Sequence, residues 1–128
     1  MSVVRYEPAL HAQIIDAWLE ARGMAALSAT LPEIGFIASV ENEMAAASFM
    51  RMVEGGYCLF DGLVTNPALA PFKRNLAIDA VVRALLEKSQ ELKLSKVLAY
   101  TLDEGTLRRS IRHGFMLLPH RLIVKELA

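Results

Sequence analysis

From Ala9 to Arg22 the apolar residues Leu10, Ile14, Ile15, Trp18 and Leu19 recur at helical spacing, so one face of a helix is buried there. Pro8 suits its first turn, where a missing backbone donor costs nothing, and Gly23 suits its end. Before it, Val3 to Tyr6 is short and β-prone. After it, the Ala-rich stretch Met24 to Thr30 predicts a shorter second helix, ended by the punctuation of Pro32 and Gly35. The pattern then changes period. Phe36 to Val40 reads as a strand, Glu41-Asn42-Glu43 as a turn, and Met44 to Met52 as a returning strand with small alanines where the sheet packs closely. Gly55-Gly56 reverses the chain into a strand from Tyr57 to Thr65, interrupted at Asp61-Gly62, where a glycine marks a bulge or a close backbone approach. Consecutive strands on short turns make an antiparallel meander.

Helical spacing returns from about Asn75 to Leu92, where Ile78, Val81, Val82, Leu85 and Leu86 make one apolar face, after an irregular stretch from Pro67 through Pro71. Val97 to Thr101 is the following strand, so strand, crossover helix and strand form a βαβ unit whose strands lie parallel. A last short helix runs from about Glu104 to His113 and is closed by Gly114. Phe115 to Leu118 and Leu122 to Val124 supply further β-prone material to finish the sheet, with Pro119 between them. The expected architecture is a mixed α/β (α+β) sheet in a single domain over residues 1–128.

Composition narrows the function classes. Over half of the 128 residues are apolar (54%), enough for a core without metals or disulfides. The 14 basic and 14 acidic residues cancel, which removes any overall pull toward nucleic acid or an anionic membrane. The single cysteine, Cys58, excludes an internal disulfide and sits among Tyr57, Leu59 and Phe60 as in a buried strand. His11, His113 and His120 are too scattered for a metal site, and no phosphate-binding Gly-Lys-Ser/Thr loop or Gly-x-Ser-x-Gly elbow occurs. With no secretory leader and no run of ~18 apolar residues, the expectation is a cytoplasmic protein that does not enter a membrane. The Met-rich strand Met44 to Met52 offers either an edge for a homodimer or ordinary core packing.

The order of elements, together with two short segments, resembles the GNAT N-acyltransferases. Leu63-Val64-Thr65-Asn66-Pro67 is similar to that family's Leu-x-Val-x-Pro strand ending, and Asp103 to Phe115, closing in His113-Gly114-Phe115, is similar to its last helix. Short variants with such features also look like those common among bacteriophage proteins. The resemblance implies a V-shaped opening between the fourth and fifth strands, in which backbone groups of Leu63, Val64 and Thr65 take the arm of acetyl-CoA as cosubstrate. The amino end of the next helix would hold the pyrophosphate through unpaired amides and the helix dipole. Arg74, Asn75, Leu76 and Ala77 are assigned to that place, with Lys73 and Arg74 adding charge, although of the usual glycine-rich loop only the final small residue is present.

For chemistry on an amine acceptor, Asp61 at the suspected bulge is the candidate base or amine anchor, and a turn-favouring residue beside glycine is the alternative. Ser110 stands where the family uses a tyrosine acid, and Tyr100 is the substitute phenol unless it packs in the core. Asp103 matches a family position near the CoA arm and equally suits a helix start; His113 equally suits a helix end. Arg108, Arg109 and Arg112 form a basic cluster, either solvated or in contact with a phosphate. Two functions follow. One is an acetyl-CoA-dependent N-acyltransferase, the other a degenerate GNAT-like binding or assembly module without catalysis.

Overall fold

A computed structural model describes residues 1–25 and 31–127. The described residues form β1 (Ser2–Arg5), α1 (Pro8–Glu20), β2 (Ile34–Val40), β3 (Glu43–Val53), β4 (Tyr57–Thr65), α2 (Pro71–Glu91), β5 (Lys96–Ala99) and α3 (Glu104–Arg112). The strands make one sheet in the order β1-β2-β3-β4-β5, antiparallel from β1 to β4 and parallel between β4 and β5. This is the mixed sheet that periodicity predicts, meander first and βαβ unit second. The short helix anticipated over Met24 to Thr30 falls mainly on residues 26–30, which lie outside the described residues.

Local chemistry explains the turns. Glu41 and Asn42 both take positive φ, 53° and 64°, which is the twist a two-residue β2–β3 hairpin requires. Gly23, with φ 71°, closes α1, and the Met24 N–H donates back to the Leu19 carbonyl as in a Schellman ending. At the other end of α1 the buried His11 accepts the Glu7 N–H on Nδ1, supplying the cap that Glu7's side chain does not. That bond places the ring proton of the neutral form on Nε2.

Each face of the sheet carries one main helix. On one face Ile15, Trp18 and Leu19 of α1 pack with Tyr6 over Ile37, Ala47, Phe49 and Val64. On the other, Ala77, Ile78 and Val81 of α2 cover Ala38, Val40 and Ala46, and Leu85 covers Met50 and Cys58. A register shift at Ala38/Ser39 makes Ala45 an extra residue on β3, so Ala45 and Ala46 both face α2. Fully buried alanines let the helix approach closely, and burial of Cys58 agrees with its reading as a packed strand residue.

Four expectations are corrected. Helix α2 begins at Pro71, about one turn before Asn75, because proline at the first helical position is favourable and ends the irregular stretch there. Strand β5 stops at Ala99, leaving Tyr100 and Thr101 outside it and Tyr100 exposed rather than packed in the core. Strand β3, containing Met44 to Met52, lies in the middle of the sheet between β2 and β4, so it has no edge to offer a second subunit. Finally, Phe115 to Leu118 and Leu122 to Val124 form no strand; β propensity requires a neighbour, and these residues pair with none among the described residues. By contrast α3 ends as expected at Gly114, with φ 92° and the Phe115 N–H bonded to the Ser110 carbonyl.

Candidate functional site

The site is built on the difference in length between two neighbouring strands. Parallel pairing of β4 with β5 runs from Tyr57↔Lys96 to Phe60↔Ala99 and stops, whereas β4 continues to Thr65 paired only with β3. Beyond Phe60 the β4 edge is therefore open. At the fork, Phe49 pairs with Asp61 while Ser48 pairs with Leu63, which leaves Gly62 as the extra residue of a bulge. Its φ of 83° is one that glycine adopts without strain. The Asp61-Gly62 break that the sequence marks is thus a bulge inside one continuous strand.

Past the bulge, the alternation of an antiparallel ladder decides which backbone groups are available. The Asn66 N–H donates to the Ala45 carbonyl, so Asn66 and Val64 direct their backbone groups to β3. Leu63 and Thr65 direct theirs to the open side. Of the three residues assigned to the CoA arm, Val64 thus contributes a buried side chain rather than free amide groups, and Leu63 and Thr65 carry the unpaired edge. Thr65 is not vacant, however. Arg22, just beyond α1, donates one guanidinium nitrogen to the Thr65 carbonyl and the other to Thr65 Oγ1 at 2.8 Å. Nothing in the spacing of Arg22 and Thr65 signals this contact across 43 positions.

Asn66 then anchors the strand end, donating from Nδ2 to the Met44 carbonyl and accepting the Ala68 N–H on Oδ1, both at 3.0 Å. The chain turns into α2, whose N-cap, Ala70, has no side-chain cap. The Lys73 and Arg74 N–H groups already donate to the Ala70 carbonyl. An anion at this helix end meets the first turn, residues 70–73, whereas Asn75, Leu76 and Ala77 lie deeper in the helix. Ala77 is fully buried against the sheet, Leu76 is exposed, and Asn75 Oδ1 accepts a bond from Arg109 at 2.9 Å. Lys73 is held by the β2–β3 hairpin, 2.8 Å from Glu41 and 3.8 Å from Glu43. Its hydrogen bond with Glu41 pushes the ammonium pKa up and holds the Glu41 carboxyl below its usual range. Arg74, half-buried, has no polar side-chain partner among the described residues and is the uncommitted cation of this turn.

The remaining candidates are distributed around the fork. Asp61 is ion-paired with Arg51, both side chains more than two-fifths exposed, a setting in which such a pair contributes little to stability. Asp103 caps α3, accepting from the Thr106 N–H at 2.7 Å and Thr106 Oγ1 at 2.8 Å. Those bonds hold its carboxyl below the ordinary range. Ser110 Oγ donates to the Thr106 carbonyl one turn back at 2.8 Å, so its proton is committed within the helix. Tyr100 lies in the β5–α3 connection, exposed to solvent. His113 caps the end of α3 and also approaches Asp79 at 3.1 Å. Arg109 lies 3.6 Å from the same carboxylate, so one residue of the basic cluster is used to fasten α3 to α2.

No concave pocket coincides with the fork. A hollow of about 320 Å³ is lined by Pro32, Ile34, Met50, Arg51 and Met52, and one of about 210 Å³ by Leu86, Val97, His113, Gly114 and Phe115. No cluster of potential metal ligands occurs among the described residues.

Solved structures share this arrangement over nearly the whole chain. Rv2747 from Mycobacterium tuberculosis, crystallised in complex with CoA and NLQ, superposes with a TM-score of 0.75 at 15% identity, over 97% of this chain and 76% of that one. Ribosomal-protein-alanine N-acetyltransferase from Brucella melitensis biovar Abortus 2308 gives 0.73 at 12% identity and 98% of both chains. An aminoglycoside 6'-N-acetyltransferase from Acinetobacter haemolyticus gives 0.63 at 13% identity, over 100% and 99%. No protein-family model matches the sequence, and no curated protein does. The chain has the GNAT acetyltransferase fold. At these identities the likeness is one of architecture.

Proposed function

We propose that this chain is a single-domain, acetyl-CoA-dependent N-acyltransferase whose β4–β5 fork receives the thioester arm and whose acceptor is a primary amine. The observation that carries the reading is the end of parallel pairing at Phe60↔Ala99 while β4 runs on, bulged at Gly62, to Thr65. An extended amide-bearing arm can continue the sheet there by pairing with the outward groups of Leu63 and Thr65. Co-crystallisation of a structural neighbour with CoA supports the choice of cosubstrate. The pyrophosphate would meet the first turn of α2, with Arg74 supplying charge.

In the transfer, the neutral amine attacks the thioester carbonyl, the new C–N bond forms, the C–S bond breaks, and the thiolate leaves. Asp61 is the carboxylate placed to take a proton from the amine or to orient it, once Arg51 shares or releases it. For the thiolate, Ser110 is a poor donor because its hydroxyl is bonded to its own helix, and Tyr100 is the phenol beyond the end of β5. Sulfur protonation is therefore assigned to Tyr100 or to solvent.

A second reading, a GNAT-like binding module without turnover, is favoured by three occupied groups: Thr65 by Arg22, Lys73 by Glu41, and Ser110 by Thr106. Calorimetric titration with acetyl-CoA and CoA separates the possibilities. The enzyme reading expects binding and acetylation of an amine panel; binding without turnover supports the module, and no heat at millimolar ligand removes both CoA-based readings. Arg74→Glu is expected to weaken CoA at least tenfold, about 1.4 kcal/mol, with unchanged thermal stability. Unaltered affinity would move the phosphate site away from α2.

A further inference from the structure

The open side of β5 and the segment that follows α3 present complementary unfinished surfaces. Strand β5 ends the sheet order, and among the described residues nothing pairs with its outer edge. Natural sheets usually protect such an edge with charge, proline or a covering element, and of Lys96–Ala99 only Lys96 is charged. The chain leaves α3 beside this edge: the Phe115 ring lies 6.0 Å from that of Phe60, and Phe115 lines the hollow of about 210 Å³ with Leu86 and Val97. From there, residues 116–127 run through solvent. Met116, Leu117, Leu122, Ile123, Val124 and Leu127 are each between 67% and 90% exposed, a density of apolar surface that soluble chains seldom leave uncovered.

We propose that segment 116–127 of one copy completes the sheet of a second copy, lying along that copy's β5 edge with its apolar side chains over the adjacent hollow. Leu122, Ile123 and Val124 are the β-prone, proline-free part suited to the strand, and Pro119 separates them from the first apolar group. A second copy is the occupant because the arrangement closes on itself. In a two-fold pair each segment starts beside its own β5 and reaches the partner's, so both edges and both apolar segments are covered by one self-complementary contact. The area also fits: six such side chains expose on the order of 100 Å² each, so two segments with the surfaces they cover reach the roughly 1,200–2,000 Å² of a stable interface.

Light scattering on the full chain at tens of micromolar is expected to give a dimer, and Ile123→Asp a monomer with unchanged far-UV circular dichroism. A wild-type monomer, or a dimer that survives Ile123→Asp, overturns the proposal. Because the aspartate variant tests folding as well as contact, a second measurement uses Leu98→Cys and Ile123→Cys in separate chains, mixed and treated with a short bis-maleimide. Cys58, fully buried, is retained in both. A covalent product joining the two variants supports the exchange. Its absence overturns it, as does an internal cross-link in a monomer carrying both substitutions, which would place the segment on its own edge.

Discussion

A Cβ on Gly35 would lie 2.3 Å from Phe49 Cδ1 and 3.1 Å from the Ser48 carbonyl oxygen, so the glycine is there for room. Phe49 is fully buried and meets Tyr6 edge-on, with ring centroids 4.9 Å apart and planes at 85°. That ring cannot retreat without disturbing the packing of α1. Gly35→Ala should therefore cost about 1–3 kcal/mol, as overpacking of a filled core does, lowering the urea midpoint with little change in slope. A midpoint within error of wild type would show that the Phe49 ring has space to move. Residue-level chemistry was partly legible: Asp61-Gly62 announced a bulge because glycine in a β pattern has few other uses. The commitment of Thr65 to Arg22 was not, since an arginine after a helix signals only charge until the fold brings it to the end of β4.

At the scale of elements, helix faces and hairpin turns were readable because their signals are local. Helix starts were less so. The irregular stretch from Pro67 hid the beginning of α2 at Pro71, and with it the position of the free amides on which an anion site depends. Helix α3 illustrates a cap that could be read either way in advance. Its Asp103 carboxylate bonds the first turn and titrates below its ordinary value of 3.8, so the folded state binds that proton less readily than the unfolded chain. The cap's stabilisation is accordingly complete above the ordinary carboxylate range and is lost as pH falls through the lowered value. Asp103→Asn should narrow its deficit relative to wild type on acidification, followed by thermal melts from pH 7 downward. A constant difference between the two proteins would separate the carboxylate's charge from its role as cap.

Taken as a whole, the molecule joins its pieces by two kinds of contact. Helices α1 and α2 are fastened by apolar burial on opposite faces of the sheet, whereas α3 has no buried residue of its own. It is held to α2 through Asp79, which meets both Arg109 and His113, and through the bond from Arg109 to Asn75. Asp79→Ala should thus raise amide exchange in α3 selectively while costing about 1–2 kcal/mol in global stability, the scale of hydrogen bonds to charged groups. Equal exchange rates in α3 would mean that Phe115 on Phe60 suffices to dock it.

By itself the sequence determined the order of strands and helices, which faces they bury, the turns between them, and the mixed sheet that leaves a fork beside β4. All of these follow from periodicities and backbone preferences confined to a few neighbouring residues. Only the tertiary structure decided which groups around the fork are free. Arg22 closes on Thr65, Glu41 on Lys73, and Arg109 on Asn75, all between residues far apart in the chain. It likewise decided that Met44 to Met52 lies inside the sheet while the β-prone end of the chain pairs with nothing in its own fold. The physical reason is that a strand or a charge carries its propensity locally, but its partner is chosen by geometry that no short stretch of sequence contains.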